Sequence, residues 1–145
     1  MPPDFVPRDL RKVIMAVKEK SKVMDKEGID KALERIAHEI VERFEGADDI
    51  AVIGIKNRGS YLAGRLAVKI ERLINKKLPV GALDITLYRD DLTQVAAQPI
   101  VHATEIDFTI EGKKIILVDD VLFTGRTIRC ALDALIDFGR PKRIQ

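Results

Sequence analysis

Lys113-Lys114-Ile115-Ile116-Leu117-Val118-Asp119-Asp120-Val121-Leu122-Phe123-Thr124-Gly125-Arg126-Thr127 is the stretch on which the reading of this chain turns. It has the order of a buried strand, an acidic pair, a tight loop and a helix start. Ile115 to Val118 is a short β-rich apolar run, as a strand covered on both faces requires. Beyond the loop, Ile128, Leu132, Leu135, Ile136 and Phe138 recur at helical spacing and predict an inward stripe over 127–138. Gly139 is placed to close that helix, and Pro141 prevents its continuation. A helix start offers unpaired N–H groups and partial positive charge, so it attracts phosphate. Gly125 permits close backbone approach, Thr124 and Thr127 add hydroxyls, and Arg126 adds a cation. Asp119 and Asp120 fall at the carboxyl end of the strand, where open α/β sheets bind ligands. Two carboxylates there suit sugar hydroxyls, a metal or a developing positive charge. A Gly-Thr turn alone is explained by a strand-to-helix connection with a capping threonine. The acidic pair, the Thr-Gly-Arg-Thr loop and the flanking periodicity together point to a phosphate–sugar site.

Composition narrows the class. A chain of 145 residues is one domain by length, and 46% hydrophobic residues suit a globular core. No apolar run approaches the ~18–20 residues of a membrane span. The start, Met1-Pro2-Pro3-Asp4, carries no signal-peptide pattern. The single Cys130 forms no internal disulfide and suits a reducing cytoplasm; mid-helix, it reads as packing rather than as a reactive thiol. A net charge of +2 gives no global argument for nucleic acid, so a local patch would have to supply one.

Taken in order, residues 1–22 form a basic extension in which Leu10, Val13, Ile14 and Val17 are helically spaced among lysines and arginines. A solvated arm and an RNA contact are both open readings there. Asp25 is placed to cap a helix over 26–44, with Ile29, Ala32, Leu33, Ile36, Ala37, Ile40, Val41 and Phe44 inward. Ile50 to Ile55 is a buried strand, and Lys56-Asn57-Arg58-Gly59 follows it. A helix is expected from Ser60 to about Ile74, with Tyr61, Leu62, Leu66, Ile70 and Leu73 inward. This second strand–loop–helix unit, cationic at its helix entry, should open on the same sheet edge as the first. One loop can then hold a ribose phosphate and the other a pyrophosphate. A strand is expected over 80–87, then a polar, weakly patterned segment to about Ala103. Segments of that kind serve as lids or are plain surface. Thr104 to Ile110 alternates like a strand. Ile144-Gln145 reads as the start of another.

The run Ile-Leu-Val-Asp-Asp-Val-Leu-Phe-Thr-Gly-Arg-Thr resembles the phosphoribosyl-pyrophosphate (PRPP) signature of type I phosphoribosyltransferases. Asp84-Ile85-Thr86-Leu87-Tyr88-Arg89-Asp90-Asp91-Leu92 and Arg35-Ile36-Ala37-His38-Glu39 resemble the PyrR family, uracil phosphoribosyltransferases that also regulate pyrimidine operons by binding messenger RNA. The resemblance runs from about residue 23 to the end. It implies the type I α/β fold, a mainly parallel sheet flanked by helices, lacking its last strand or strands. It implies that Val121, Leu122, Phe123, Thr124, Gly125, Arg126 and Thr127 bind PRPP. Asp119, Asp120 and Arg89 would be catalytic, and Lys56, Asn57, Arg58 and Gly59 would bind pyrophosphate around a non-proline cis peptide. Asn57 stands where the family usually has threonine. Mg²⁺ would arrive bound to PRPP, with no metal site of the protein's own. Arg35 and His38 would face RNA. Glu34, where the family commonly has a small hydroxyl residue, would weaken that contact.

Expected partners are uracil, PRPP, UMP or UTP, the pyrimidine-operon leader mRNA and further copies of the chain, as a homodimer or higher assembly. The expected setting is cytoplasmic. The segment that covers the base in family members has no counterpart, so the chain reads as C-terminally incomplete. A non-catalytic RNA-binding or nucleotide-sensing regulator, an inactive fragment, and a purine or orotate phosphoribosyltransferase are the alternatives. A Rossmann dehydrogenase is disfavoured, because no glycine-rich dinucleotide fingerprint follows a strand.

Overall fold

The structure, a computed structural model, describes residues 21–44, 48–86 and 104–145. The chain divides into two compact units, Met1–Lys31 and Ala32–Gln145. The described part of the first is an exposed strand-free lead-in followed by the opening turns of helix α1 (Lys26–Arg43). Asp25 caps that helix as expected: Gly28 N–H donates to Asp25 Oδ1 at 2.7 Å.

The second unit holds a four-stranded, wholly parallel sheet. Its elements are β1 (Ile50–Ile55), α2 (Arg58–Ile74), β2 (Val80–Leu83), β3 (Lys114–Val118), α3 (Arg126–Phe138) and β4 (Arg143–Ile144). The order across the sheet is β2-β1-β3-β4. β1 pairs with β2 from Val52↔Val80 to Ile55↔Leu83, and with β3 from Ile50↔Lys114 to Gly54↔Val118. All six residues of β1 are buried, which explains its unbroken apolar text. Ala51, Ile53, Ile55, Leu83, Ile110, Ile115 and Leu135 form one core cluster. Each fully buried isoleucine or leucine there contributes about 1.5–3 kcal/mol, so this layer fixes the sheet. Cys130 packs against the same cluster. Among the described residues, no helix is long and apolar enough to cross a membrane.

Several expectations need correction. α2 begins at Arg58 rather than Ser60, and its inward face is rotated. Gly59, Ala63, Leu66, Ala67 and Ile70 are buried, whereas Tyr61 is 77% exposed and Leu73 faces outward. Small residues let the helix sit close to the sheet, so Gly59, Ala63 and Ala67 share its contact face with Leu66 and Ile70, the two expected residues that are buried. On α3, Ala131, Ala134 and Leu135 are buried, while Ile136 and Phe138 are exposed, for the same reason. On α1, Leu33 and Ala37 are buried, but Ile36 is exposed. β2 ends at Leu83, and Thr104–Ile110 makes only one antiparallel bridge, Ala82↔Glu105. The Asp84 carboxylate accepts from Thr86 N–H and Thr86 Oγ1 (2.8 and 2.6 Å), folding the backbone into a turn that stops the strand.

Candidate active site

Both strand–loop–helix units end on one sheet edge and enclose a cavity of about 380 Å³. The end of β1 and the start of α2 contribute Ile55, Lys56, Asn57 and Arg58 to its wall. The end of β3 and the first turn of α3 contribute Asp119, Asp120 and Thr127. Asp84, Ile85 and Thr86, just past β2, complete it. Three neighbouring strands thus deliver side chains from their carboxyl ends, as the topology of open α/β sheets requires.

The β1 side is tightly ordered. The Lys56–Asn57 peptide is cis. Ser60 Oγ donates to the Asn57 carbonyl at 2.6 Å, fastening the loop to the first turn of α2. Arg58, which is exposed, reaches across the cavity to Asp120, Nη1 to Oδ2 at 3.7 Å. Lys56 is largely covered and lies 3.7 Å from Glu105. The expected loop residues Arg58 and Gly59 therefore belong to the helix start, where backbone N–H groups are free of intrahelical partners.

On the β3 side, Asp119 Oδ1 accepts the N–H of Asp120 at 2.8 Å. Burial pushes the Asp119 carboxyl above its ordinary value; the neighbouring Asp120 charge adds to this and its N–H opposes it. Gly125 precedes α3 with φ at 83°, a conformation that a side chain disfavours, and Arg129 N–H donates back to its carbonyl. Gly125 has no side chain to cap this helix start, whose N–H groups suit an anion. Thr124 Oγ1 accepts from Arg126 N–H in a long bond of 3.4 Å.

The structure brings Lys56, Asn57, Arg58, Asp119, Asp120 and Thr127 together. Val121, Leu122, Phe123, Thr124, Gly125 and Arg126 do not line this cavity. Val121 and Leu122 line a neighbouring apolar groove of about 300 Å³, with Leu117, Ile128, Leu132 and Ile144. Phe123 is 92% exposed. Arg89 lies outside the described residues, as do residues 1–20. Arg35 and His38 sit on the exposed side of α1, away from the cavity; Arg35 pairs with Glu39 at 3.7 Å, and His38 Nδ1 donates to the Glu34 carbonyl at 2.9 Å. The Glu34 carboxylate is engaged at 2.9 Å by the ammonium of Lys69, whose residue is buried in α2. The sequence reading gave no role in the site to Asp84, Ile85 and Thr86. The signal that could have found them is the Asp84-Ile85-Thr86 run itself, which carries part of the family resemblance.

Comparison with known proteins places this geometry. The phosphoribosyl transferase domain family matches residues 20–145. A Bifunctional protein PyrR from Pelotomaculum thermopropionicum is 55% identical over 128 residues, covering 88% of this chain and 71% of the relative. Another, from a Thermoanaerobacter species, is 57% identical over 129 residues, covering 89% and 72%. The chain belongs to the phosphoribosyl transferase family, in its PyrR branch. It spans about seven tenths of the length of these relatives. Among solved structures, a purine phosphoribosyltransferase from Pyrococcus horikoshii superposes with a TM-score of 0.61 at 23% identity, covering 84% of this chain and 71% of that one. A hypoxanthine phosphoribosyltransferase from Staphylococcus aureus superposes with a TM-score of 0.65 at 16% identity, covering 91% and 67%. At such identities these two show a common type I fold, and nothing of the base.

Proposed function

We propose that this chain transfers the phosphoribosyl group of PRPP to uracil, giving UMP and pyrophosphate, and that the same site senses UMP or UTP to control binding of pyrimidine-operon leader RNA. The observation that carries the first part is the cavity itself, in which a cationic helix start faces an acidic pair and a second helix start. Identity of 55–57% to PyrR proteins supports uracil over a purine or orotate. The phosphoribosyltransferase domain is assigned to residues 23–145, with 1–22 as a basic extension.

The residues divide the substrate between them. N–H groups of the 124–127 turn, the hydroxyls of Thr124 and Thr127, and Arg126 hold the 5′-phosphate. Val121, Leu122 and Phe123 carry the backbone from the acidic pair to that phosphate. Lys56, Asn57, Arg58 and Gly59 hold the pyrophosphate. Asp119 and Asp120 take the ribose hydroxyls and favour the positive charge that grows on the sugar. The bond from C1′ to the pyrophosphate oxygen breaks, the bond from C1′ to the uracil nitrogen forms, and that nitrogen loses its proton. Arg89 adds positive charge to the leaving group.

Two carboxylates beside a cationic helix start form an incomplete donor set, which suits a cation that brings most of its ligands with it. Mg²⁺ is therefore read as part of the substrate, where it neutralises the leaving pyrophosphate.

Arg35 and His38 supply the RNA-facing pattern. Its support is that Glu34, the residue expected to repel phosphate, is spent on Lys69. The working form is cytoplasmic and a homodimer or higher assembly. The test is uracil-dependent pyrophosphate release from PRPP with Mg²⁺. Release is expected; folded protein that releases none refutes the enzyme reading. For the RNA half, UMP should tighten binding to a pyrimidine-leader hairpin, and indifference to UMP counts against it.

A further inference from the structure

Gly54 lies in the central strand and has no place in the roles assigned above. It is paired on both sides, to Ala82 of β2 and to Val118 of β3. A Cβ built on it would fall onto the Gly59 carbonyl oxygen and lie 2.5 Å from Ser60 Cα. Gly59, one layer further, repeats the arrangement: its Cβ would lie 2.5 Å from the Val118 carbonyl oxygen, 3.0 Å from Asp119 Cα and 3.2 Å from Asp119 Oδ1. The first turn of α2 is thus pressed by backbone contact onto β1 beneath it and onto the acidic end of β3 beside it. No other glycine among the described residues meets backbone this closely; Gly64, later in the same helix, has nothing within 4 Å of its Cβ position.

We propose that Gly54 is a positioning residue for PRPP: by lacking a side chain it seats the first turn of α2 against Asp119, and so sets the span between the pyrophosphate-binding and ribose-binding halves of the cavity. This rests on the reading of the cavity as a PRPP site. PRPP is the ligand that must touch both halves at once. UMP carries no pyrophosphate and engages only the β3–α3 half. A methyl group at residue 54 cannot displace β1, which is hydrogen-bonded on both sides. It displaces the first turn of α2 instead, by a distance on the order of 1 Å, the shortfall from ordinary van der Waals separation. Arg58 and the helix N–H groups move with that turn, while Asp119, Asp120 and Thr127 stay in place.

The experiment is calorimetric binding of Mg–PRPP and, separately, of UMP to the unaltered chain, Gly54→Ala and Gly64→Ala, with thermal unfolding of each. Gly54→Ala is expected to weaken Mg–PRPP about tenfold or more. Its UMP affinity should change by less than about threefold, because the second half is untouched. Gly64→Ala should match the unaltered chain. Equal loss of both ligands in Gly54→Ala, or the same loss in Gly64→Ala, overturns the proposal. If Gly54→Ala does not fold, the glycine serves the fold alone and the proposal fails. If the unaltered chain binds UMP but Gly54→Ala leaves PRPP unaffected, the positioning claim falls and the site reading stands. Binding of neither ligand by the unaltered chain overturns the site reading, and the proposal with it.

Discussion

The two strand–loop–helix units share one design and differ in how they are held. In β1–α2 the strand is wholly buried, the helix start rests on backbone, and the helix end is tied down: Glu71 accepts Leu78 N–H at 3.0 Å and pairs with Lys77 at 3.2 Å. In β3–α3 the loop is open. Val121, Leu122 and Phe123 are exposed, Gly125 has nothing within 4 Å of its Cβ position, and Ile136 and Phe138 project from the helix. One half of the site is placed by packing and the other by backbone conformation. The half proposed to bind pyrophosphate is therefore sensitive to added volume, and the half proposed to bind the 5′-phosphate is sensitive to lost dihedral freedom.

The strongest break of the comparison removes the chemistry that the two halves share. Asp120→Asn should lower turnover about a hundredfold or more, on the scale of losing one transition-state electrostatic contact. Its unfolding midpoint should move little, since the ion pair of Asp120 with the exposed Arg58 is screened by solvent. Equal turnover would remove Asp120 from the mechanism.

Next is Gly125→Ala. Its φ of 83° costs a side chain roughly 1–2 kcal/mol, and no steric overlap adds to this. Denaturant unfolding should report that loss, and UMP binding should weaken together with PRPP binding. A variant that spared UMP would contradict the division of labour between the two halves.

Asp119→Asn separates stability from function. The folded carboxyl keeps its proton to higher pH than it would in the unfolded chain, chiefly because it is partly buried. Its contribution favours the fold below the unfolded value and is lost as pH rises through the raised folded value. The amide should therefore raise the thermal midpoint at neutral pH, an advantage that fades in acid, while turnover falls. A neutral-pH midpoint below that of the unaltered chain would refute this account of Asp119.

The smallest expected effect is at Glu71, where the Leu78 N–H holds the carboxyl below its ordinary range. Its contribution is present above the unfolded carboxylate value and is lost as pH falls through the lowered folded value. Glu71→Gln should cost about 1 kcal/mol at neutral pH and almost nothing in strong acid, without altering PRPP binding.

Much of this was legible in the text of the chain. Ile50–Ile55 and Lys114–Val118 are continuous apolar runs, and such runs have few other uses in a chain of alternating strands and helices. The loops after them carried their chemistry openly, and their meeting on one sheet edge followed from parallel topology. The rotation of α2 was not legible, because Gly59, Ala63 and Ala67 contribute little to a stripe read from large residues. The end of β2 was hidden too: nothing in Leu83-Asp84-Ile85-Thr86 says that the Asp84 side chain will bond to Thr86 rather than let the strand run on. The pairing of Glu34 with Lys69 depends on how two helices dock, 35 residues apart in sequence. Pairwise meetings of that kind leave no periodic trace.

The most direct test of the central claim is a crystal structure of this chain with Mg–PRPP. The account predicts pyrophosphate against 56–59 at the start of α2, ribose hydroxyls on Asp119 and Asp120, and the 5′-phosphate in the 124–127 turn, with one molecule bridging both halves. PRPP bound with its phosphates away from either turn, or with its ribose away from the acidic pair, would contradict it.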